Sequence, residues 1–249
     1  KNNLNARGLE WSNKRSLILG ISETLVYSGF NRSFDIGYFK KPLKVRSRVA
    51  KKRTIINKMY AWELGKEYYD GNRLNGYGGF KYDGRWLKIL PKIIKKYKIK
   101  ENAKILDLGC KKGFIMKDFK ILLPNCEVWG IEDHKYPIIN AEKEIKSKII
   151  KSKYYDIPFE DNYFDFTIGF SSIYRYNFYD LVETIKEIKR VSKKSFITLG
   201  AYSNEKNRVI FNKWSLLGTT ILHEKEWIEL FKLLKFSGDY YFTTANKLN

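Results

Sequence analysis

The sequence predicts an α/β fold, a mostly parallel sheet with helices on both faces. Two observations predict it. From Leu87 onward short apolar runs of strand length alternate with stretches of helical periodicity. The chain also has 249 residues, 43% of them hydrophobic, enough to bury roughly 70–75% of the surface its unfolded form exposes.

The elements follow in order. Leu87, Leu90, Ile93, Ile94 and Tyr97 recur at helical spacing, with Pro91 in the first turn. Residues 103–108 read as a buried strand ending at Gly109. Phe114, Phe119, Leu122 and Leu123 mark a helix closed by Pro124, and 127–132 form the next strand. Ile138, Ile139, Ile145 and Ile149 predict a helix after Pro137, and 164–170 a third strand. Leu181, Ile185, Ile188 and Val191 give a helix, 195–199 a strand, Trp227, Leu230, Phe231 and Leu234 a last helix, and 240–243 an aromatic strand.

Composition narrows the function. Cys110 and Cys126 are too few for a disulfide framework or a zinc site, and His134 and His223 are the only imidazoles. A reducing compartment, the cytoplasm, is the expectation. The apolar stretch 16–30 carries Glu23 and falls short of the ~20 residues a membrane span needs, and no small-residue cleavage signature follows it. A formal net charge of +21 invites polyanions, anionic substrates or an acidic membrane surface. Lys, Ile, Asn and Tyr are abundant throughout, so part of that charge reflects composition rather than a binding face.

Two segments precede the alternating part. Residues 1–70 read as a basic N-terminal extension. Their most charged run, 40–53, is either a solvated helix face or an arm for nucleic acid or a phosphorylated ligand. Residues 71–86 hold five glycines among aromatic rings. Such a loop either approaches a ligand closely or packs on its own rings.

The strand-to-helix turn Asp107-Leu108-Gly109-Cys110-Lys111-Lys112-Gly113 lies where an α/β sheet holds its ligand. A pyrophosphate site calls for G-x-G-x-x-G. Here the spacing is G-x-x-x-G, and Asp107 stands two residues before the first glycine. A carboxylate there repels phosphate and favours an ammonium or sulfonium group. Glu132 ends the next strand nineteen residues past Gly113, where one carboxylate grips a ribose diol; Asp133 is the alternative. Asp156 and Ile157 follow, placed to meet an adenine amino group and ring face.

These segments resemble the class I S-adenosylmethionine-dependent methyltransferases: ILDLGCKKG their glycine motif, GIED their ribose acid, DIPFEDNYFD their post-adenine segment. Residues 76–86, GYGGFKYDGRW, resemble a bacterial subgroup associated with capsule and other surface-glycan biosynthesis. The resemblance implies a Rossmann-like seven-stranded fold over 71–249 and S-adenosylmethionine as cofactor, with no metal. It places cofactor contacts at Asp107, Gly109, Cys110, Lys111, Gly113, Glu132, Asp133, Asp156, Ile157, Phe170, Tyr82 and Arg85, the last as partner of the methionine carboxylate. Two positions depart from the pattern: Lys111 stands for the usual middle glycine, and Lys153 where an acid often falls.

Methyl transfer asks mainly for alignment of nucleophile, methyl and sulfur, so a base is needed only where the acceptor must lose a proton. The candidates are His223, His134, Asp83 and Tyr77, each with a plainer role as a helix cap or loop residue. Ser171, Ser172, Tyr174 and Arg175 follow the third strand, on the acceptor side. The expected reaction is methylation of an oxygen, less readily a nitrogen, on a small anionic or nucleotide-linked precursor of a surface glycan. RNA methylation through the basic arm, and a non-catalytic binding module, are the alternatives.

Overall fold

The computed structural model describes residues 32–36 and 50–244, and the stretch 16–30 and most of the basic run, 40–49, lie outside them. The chain divides into two units, Lys1–Ser33 and Phe34–Asn249. The second unit therefore starts well before residue 71, the expected boundary. Ala61, Leu64 and Tyr69 are buried in it, on the short helices α1 (Ile55–Trp62) and α2 (Lys66–Tyr69).

Seven strands form the sheet: β1 (Lys104–Leu108), β2 (Glu127–Glu132), β3 (Ile149–Lys151), β4 (Phe166–Phe170), β5 (Ser195–Tyr202), β6 (Leu222–His223) and β7 (Asp239–Thr243). Their order is β3-β2-β1-β4-β5-β6, with β7 also on β5, and every pairing between them is parallel. The helices are α3 (Leu90–Tyr97), α4 (Phe114–Leu122), α5 (Lys135–Ile139), α6 (Phe178–Val191), α7 (Glu205–Trp214) and α8 (Glu224–Leu233).

The two-residue alternation of the strands sends side chains into two layers. Ile105, Phe166, Ile168, Phe196 and Tyr241 share one apolar cluster with Leu90, Ile93 and Tyr97 of α3 and with Phe114, Met116 and Phe119 of α4. Tyr240, one residue out of phase, instead packs its ring on Phe231 of α8, with centroids 5.0 Å apart. Leu181, Ile185, Ile188 and Val191 of α6 are fully buried at helical spacing. That helix starts on an Asn177 cap accepting from the Asp180 amide, 2.9 Å, and ends with Lys189 and Arg190 in its last turn.

Several elements differ from expectation. The helix predicted through Ile149 stops at Ile139, and Ile149 opens β3 opposite Gly130. The intervening chain is held to the glycine turn instead: the Glu142 amide donates to Lys112 O at 3.1 Å, and Ile145 fills the space where a Cβ on Gly113 would stand. Phe164 makes an isolated bridge to Ser192, so β4 begins two residues later than predicted. Helix α7 and strand β6 have no counterpart in the sequence reading. Phe211 is the one fully buried apolar side chain of α7, too little to set a clear period.

The chain runs outward from β1 to β3, then crosses back to lay β4 on the other side of β1. Ligands in such sheets lie outside the carboxyl ends of the strands at this reversal. Gly109 follows β1 there and Ser171 follows β4.

Candidate active site

A cavity of about 320 Å³ opens at that reversal. It is walled by the glycine turn, the start of α4, the segment after β4, the loop 71–86, and residues 214–217 after α7. The volume suits a small molecule.

The glycine turn depends on unusual backbone. Gly109 has φ +78°, and a Cβ there would stand 2.4 Å from Ser172 Cβ. Ser172 lies that close because its hydroxyl donates to Leu108 O at 2.8 Å, tying the segment after β4 to β1. Lys111 takes φ +56° without being glycine. Its amide donates to Glu132 Oε2 at 3.0 Å, and its ammonium donates to Gly109 O and Phe170 O, both at 3.2 Å. The lysine side chain thus folds back over the turn and bridges the ends of β1 and β4.

Behind the turn stands Asp107, 1% exposed, with neither carboxylate oxygen hydrogen-bonded. Burial pushes its pKa up to about 7; the Lys111 charge opposes this and Glu132 adds to it.

Glu132 and Asp133 end β2, and their oxygens are engaged by the chain. Glu132 Oε1 accepts from the amides of Asp133, 3.0 Å, and His134, 3.2 Å. Its Oε2 accepts from the Lys111 amide and, at 3.3 Å, from the Tyr154 hydroxyl. Asp133 takes the Arg175 guanidinium, the His134 ring and the Tyr176 hydroxyl. Burial alone would raise the Asp133 pKa, but His134 and Arg175 hold it well below the carboxylate range. Ligand atoms of Glu132, Asp133 and His134 lie within 4.8 Å of one another, and the Arg175 guanidinium pairs with Asp133 among them.

Gly109, Cys110, Lys111, Phe170 and Arg85, predicted for the cofactor, all line the cavity, as does Tyr77. The other predicted residues do not. Tyr82 donates to Asp118 Oδ1 of α4, 2.5 Å, which fixes the loop rather than a ligand. Asp156 is exposed. Ile157 is 3% exposed, its amide donating to Glu187 Oε2 and its carbonyl accepting from Arg190, so it locks its segment to α6. Asp107, Gly113, Glu132 and Asp133 stand behind the cavity wall.

Among the base candidates, His223 is a helix cap. Its Nδ1 accepts from the Lys225 amide, 3.1 Å, and its Nε2 lies 3.1 Å from Ser203 O, so both ring nitrogens serve the backbone at the start of α8. His134 is held by Asp133. Burial disfavours its charged form, but Asp133 and Glu132 raise its pKa. Asp83 forms an ion pair with Arg85, 2.7 Å. Tyr77 alone of the four faces the cavity, stacked on Tyr69 at 5.8 Å and packed on Phe80 at 4.2 Å.

Four further wall residues escaped the sequence reading as individual site residues: Tyr68 and Thr243 outright, Arg73 except as part of the loop 71–86, and Arg53 except as the end of the basic run. Thr243 closes β7 with a buried, unpartnered hydroxyl. Lys111, Arg53, Arg73, Arg85 and Arg175 give the cavity five cations, and no carboxylate lines it among the described residues.

Residues 106–197 match the family described as "Methyltransferase domain". Over those residues, less than half of the chain, the sequence is similar to a methyltransferase domain. Among solved structures it is similar to the YcgJ protein from Bacillus subtilis, with 18% identity and TM-score 0.50 over 58% of this chain and 66% of that one. A chain of the complex between the Haloferax volcanii Trm112 methyltransferase activator and a methyltransferase matches at 18% identity and TM-score 0.50, covering 72% of this chain and 75% of that one. An S-adenosylmethionine-dependent methyltransferase from Aquifex aeolicus matches at 22% identity and TM-score 0.36 over 45% of this chain and 69% of that one. No curated protein matches. The first two likenesses establish the fold of the domain.

The turn fits a positively charged group such as a sulfonium on one observation: a buried carboxylate without a donor, Asp107, lies beneath it. A neighbouring cation would relieve it. Two carbonyls, Gly109 O and Phe170 O, already hold an ammonium, that of Lys111. No helix among the described residues is long and apolar enough to cross a membrane.

Proposed function

We propose that the enzyme methylates an oxygen, less readily a nitrogen, of a small anionic or nucleotide-linked acceptor, in the assembly of a surface glycan. The observation that carries the acceptor's charge is the wall of five cations with no carboxylate among the described residues. An acceptor bearing negative charge gains there what a neutral one does not. The glycan setting rests on the GYGGFKYDGRW segment alone.

When bound, S-adenosylmethionine supplies an electrophilic methyl group on a sulfonium. Asp107 would favour positive charge near the turn, and the carbonyls of Gly109 and Phe170, which accept from the Lys111 ammonium, would hold the methionine ammonium in its place. Glu132, whose Oε2 accepts from the Tyr154 hydroxyl at 3.3 Å, would be the carboxylate that holds the ribose. Trp86 and Phe114 line the cavity as aromatic walls that exclude water. Arg175, with its guanidinium 4.9 Å from the Tyr154 ring and 4.5 Å from the Tyr176 ring, keeps the segment after β4 in place. Catalysis would then rest on alignment, and of the four candidate bases Tyr77 alone lines the cavity.

The test is transfer of labelled methyl to pooled nucleotide sugars and phosphorylated metabolites, beside neutral sugars. Label entering the anionic pool supports the reading, and label entering only neutral sugars rejects it.

A further inference from the structure

The four arginines of the cavity are not alike. Arg85 is paired with Asp83, and Arg175 with Asp133. Arg53 and Arg73 instead find main-chain carbonyls. Arg53 Nε donates to Leu74 O at 3.0 Å and its Nη1 to Trp214 O at 2.5 Å; Arg73 Nη1 donates to Gly76 O. Neither forms an ion pair with a described residue.

These contacts hold two guanidiniums in one wall, one from the segment before α1 and one from the loop 71–86. Burial, and next the like charge of Arg73, lower the Arg53 pKa to about 10. Two cations held together without a counterion, one of them half-buried, form an arrangement that an anion relieves. A phosphoryl group suits it better than a carboxylate. It carries up to two charges, and its oxygens accept from two forks at once. Tyr68, whose hydroxyl is hydrogen-bonded to Tyr77, lines the same wall and offers an aromatic surface beside the pair.

We propose that Arg53 and Arg73 form a phosphoryl-binding subsite that holds a phosphate or pyrophosphate group of the methyl acceptor. This deepens the reading above and rests on it for the identity of the bound molecule as an acceptor. Arg73 is the sharper handle. It is exposed and makes a single bond within its own loop, whereas Arg53 also ties the loop to the end of α7.

The experiment is calorimetric titration of the full chain with sodium phosphate, with pyrophosphate and with malonate at one ionic strength. S-adenosylhomocysteine is titrated separately. The wild-type chain should bind phosphate or pyrophosphate more tightly than malonate. Arg73→Gln and Arg53→Gln should each weaken that binding by about tenfold, with S-adenosylhomocysteine affinity unchanged in Arg73→Gln. Tighter binding of pyrophosphate than of phosphate identifies a bridging group, and equal binding a single phosphate; both support the subsite. Malonate binding as well as phosphate, or Arg73→Gln leaving phosphate and pyrophosphate binding intact, overturns it. Failure of the wild-type chain to bind S-adenosylhomocysteine would sink the cofactor reading and leave the phosphoryl result to be judged alone. If Arg53→Gln fails to fold, the Arg73→Gln arm decides the outcome.

Discussion

Asp107 and Lys111 are adjacent solutions to one electrostatic problem. The carboxylate is buried without a donor, so its folded pKa, about 7, lies above the ordinary Asp value. The folded chain therefore binds the proton more tightly than the unfolded one, and stability falls as pH rises from about 4 to about 7, then levels. Asp107→Asn should leave the melting temperature near that of wild type at pH 4 and raise it at pH 8. It should also weaken S-adenosylmethionine binding by at least about tenfold at pH 8. Scanning calorimetry and titration at both pH values check this; equal melting curves at pH 8 would show that the carboxylate has a partner in solution. Lys111→Gly suits the positive φ and frees the carbonyls of Gly109 and Phe170. On the proposed placement the lysine ammonium holds the position of the cofactor's, so the variant should bind S-adenosylhomocysteine about fivefold or more tightly. Weaker binding would mean the lysine contacts the cofactor instead.

At the level of elements, the loop 71–86 and the glycine turn are clasped by one buried cluster. Asp70, at the end of α2, accepts from Lys112 Nζ at 2.7 and 2.8 Å, from Tyr136 of α5 at 2.8 Å and from the Phe80 amide at 3.1 Å. Burial opposes the Asp70 charge, but these donors keep its pKa low. Lys112 is 9% exposed at its side chain and also donates to Phe80 O. Removing the acid strands that ammonium, which costs about 3 kcal/mol or more. Asp70→Ala should lower the melting temperature by several degrees and the rate of methyl transfer with it, since Phe80 and Tyr77 lose their position. Lys112→Met in the same chain should restore part of the stability, because the stranded charge is gone; a further loss in the double variant would argue against the clasp. The glycine-rich loop was legible as a loop, but its attachment was not, because Asp70 and Lys112 are 42 residues apart and nothing in the glycine motif that holds Lys112 points to a partner at Asp70.

For the whole molecule, the net charge of +21 and the cation-lined cavity act on the same encounter. A charged acceptor is drawn in by a field that salt screens over about 8–10 Å at 0.1–0.15 M. The KM for an anionic acceptor should therefore rise several-fold between about 50 and 300 mM KCl, while kcat changes little. Steady-state rates at matched saturation decide it, and a salt-independent KM would detach the bulk charge from acceptor capture. The alternation of strands and helices, the reversal beside β1 and the glycine turn were all readable along the chain, because each is written in contiguous residues. The misplaced helix over 138–149 was not, since Ile145 packs on the turn rather than along a helix face.

By itself the sequence determined the parallel α/β sheet, the turn after β1 and the acids at the ends of two strands. Periodicity and glycine spacing are local properties that survive without a neighbour. Only the tertiary structure decided which acids are buried behind the wall, that His223 is a cap, and that Arg53 and Arg73 line one cavity. Each of these depends on residues far apart in sequence being desolvated together, and burial sets both the charge a group can carry and the partner it must find.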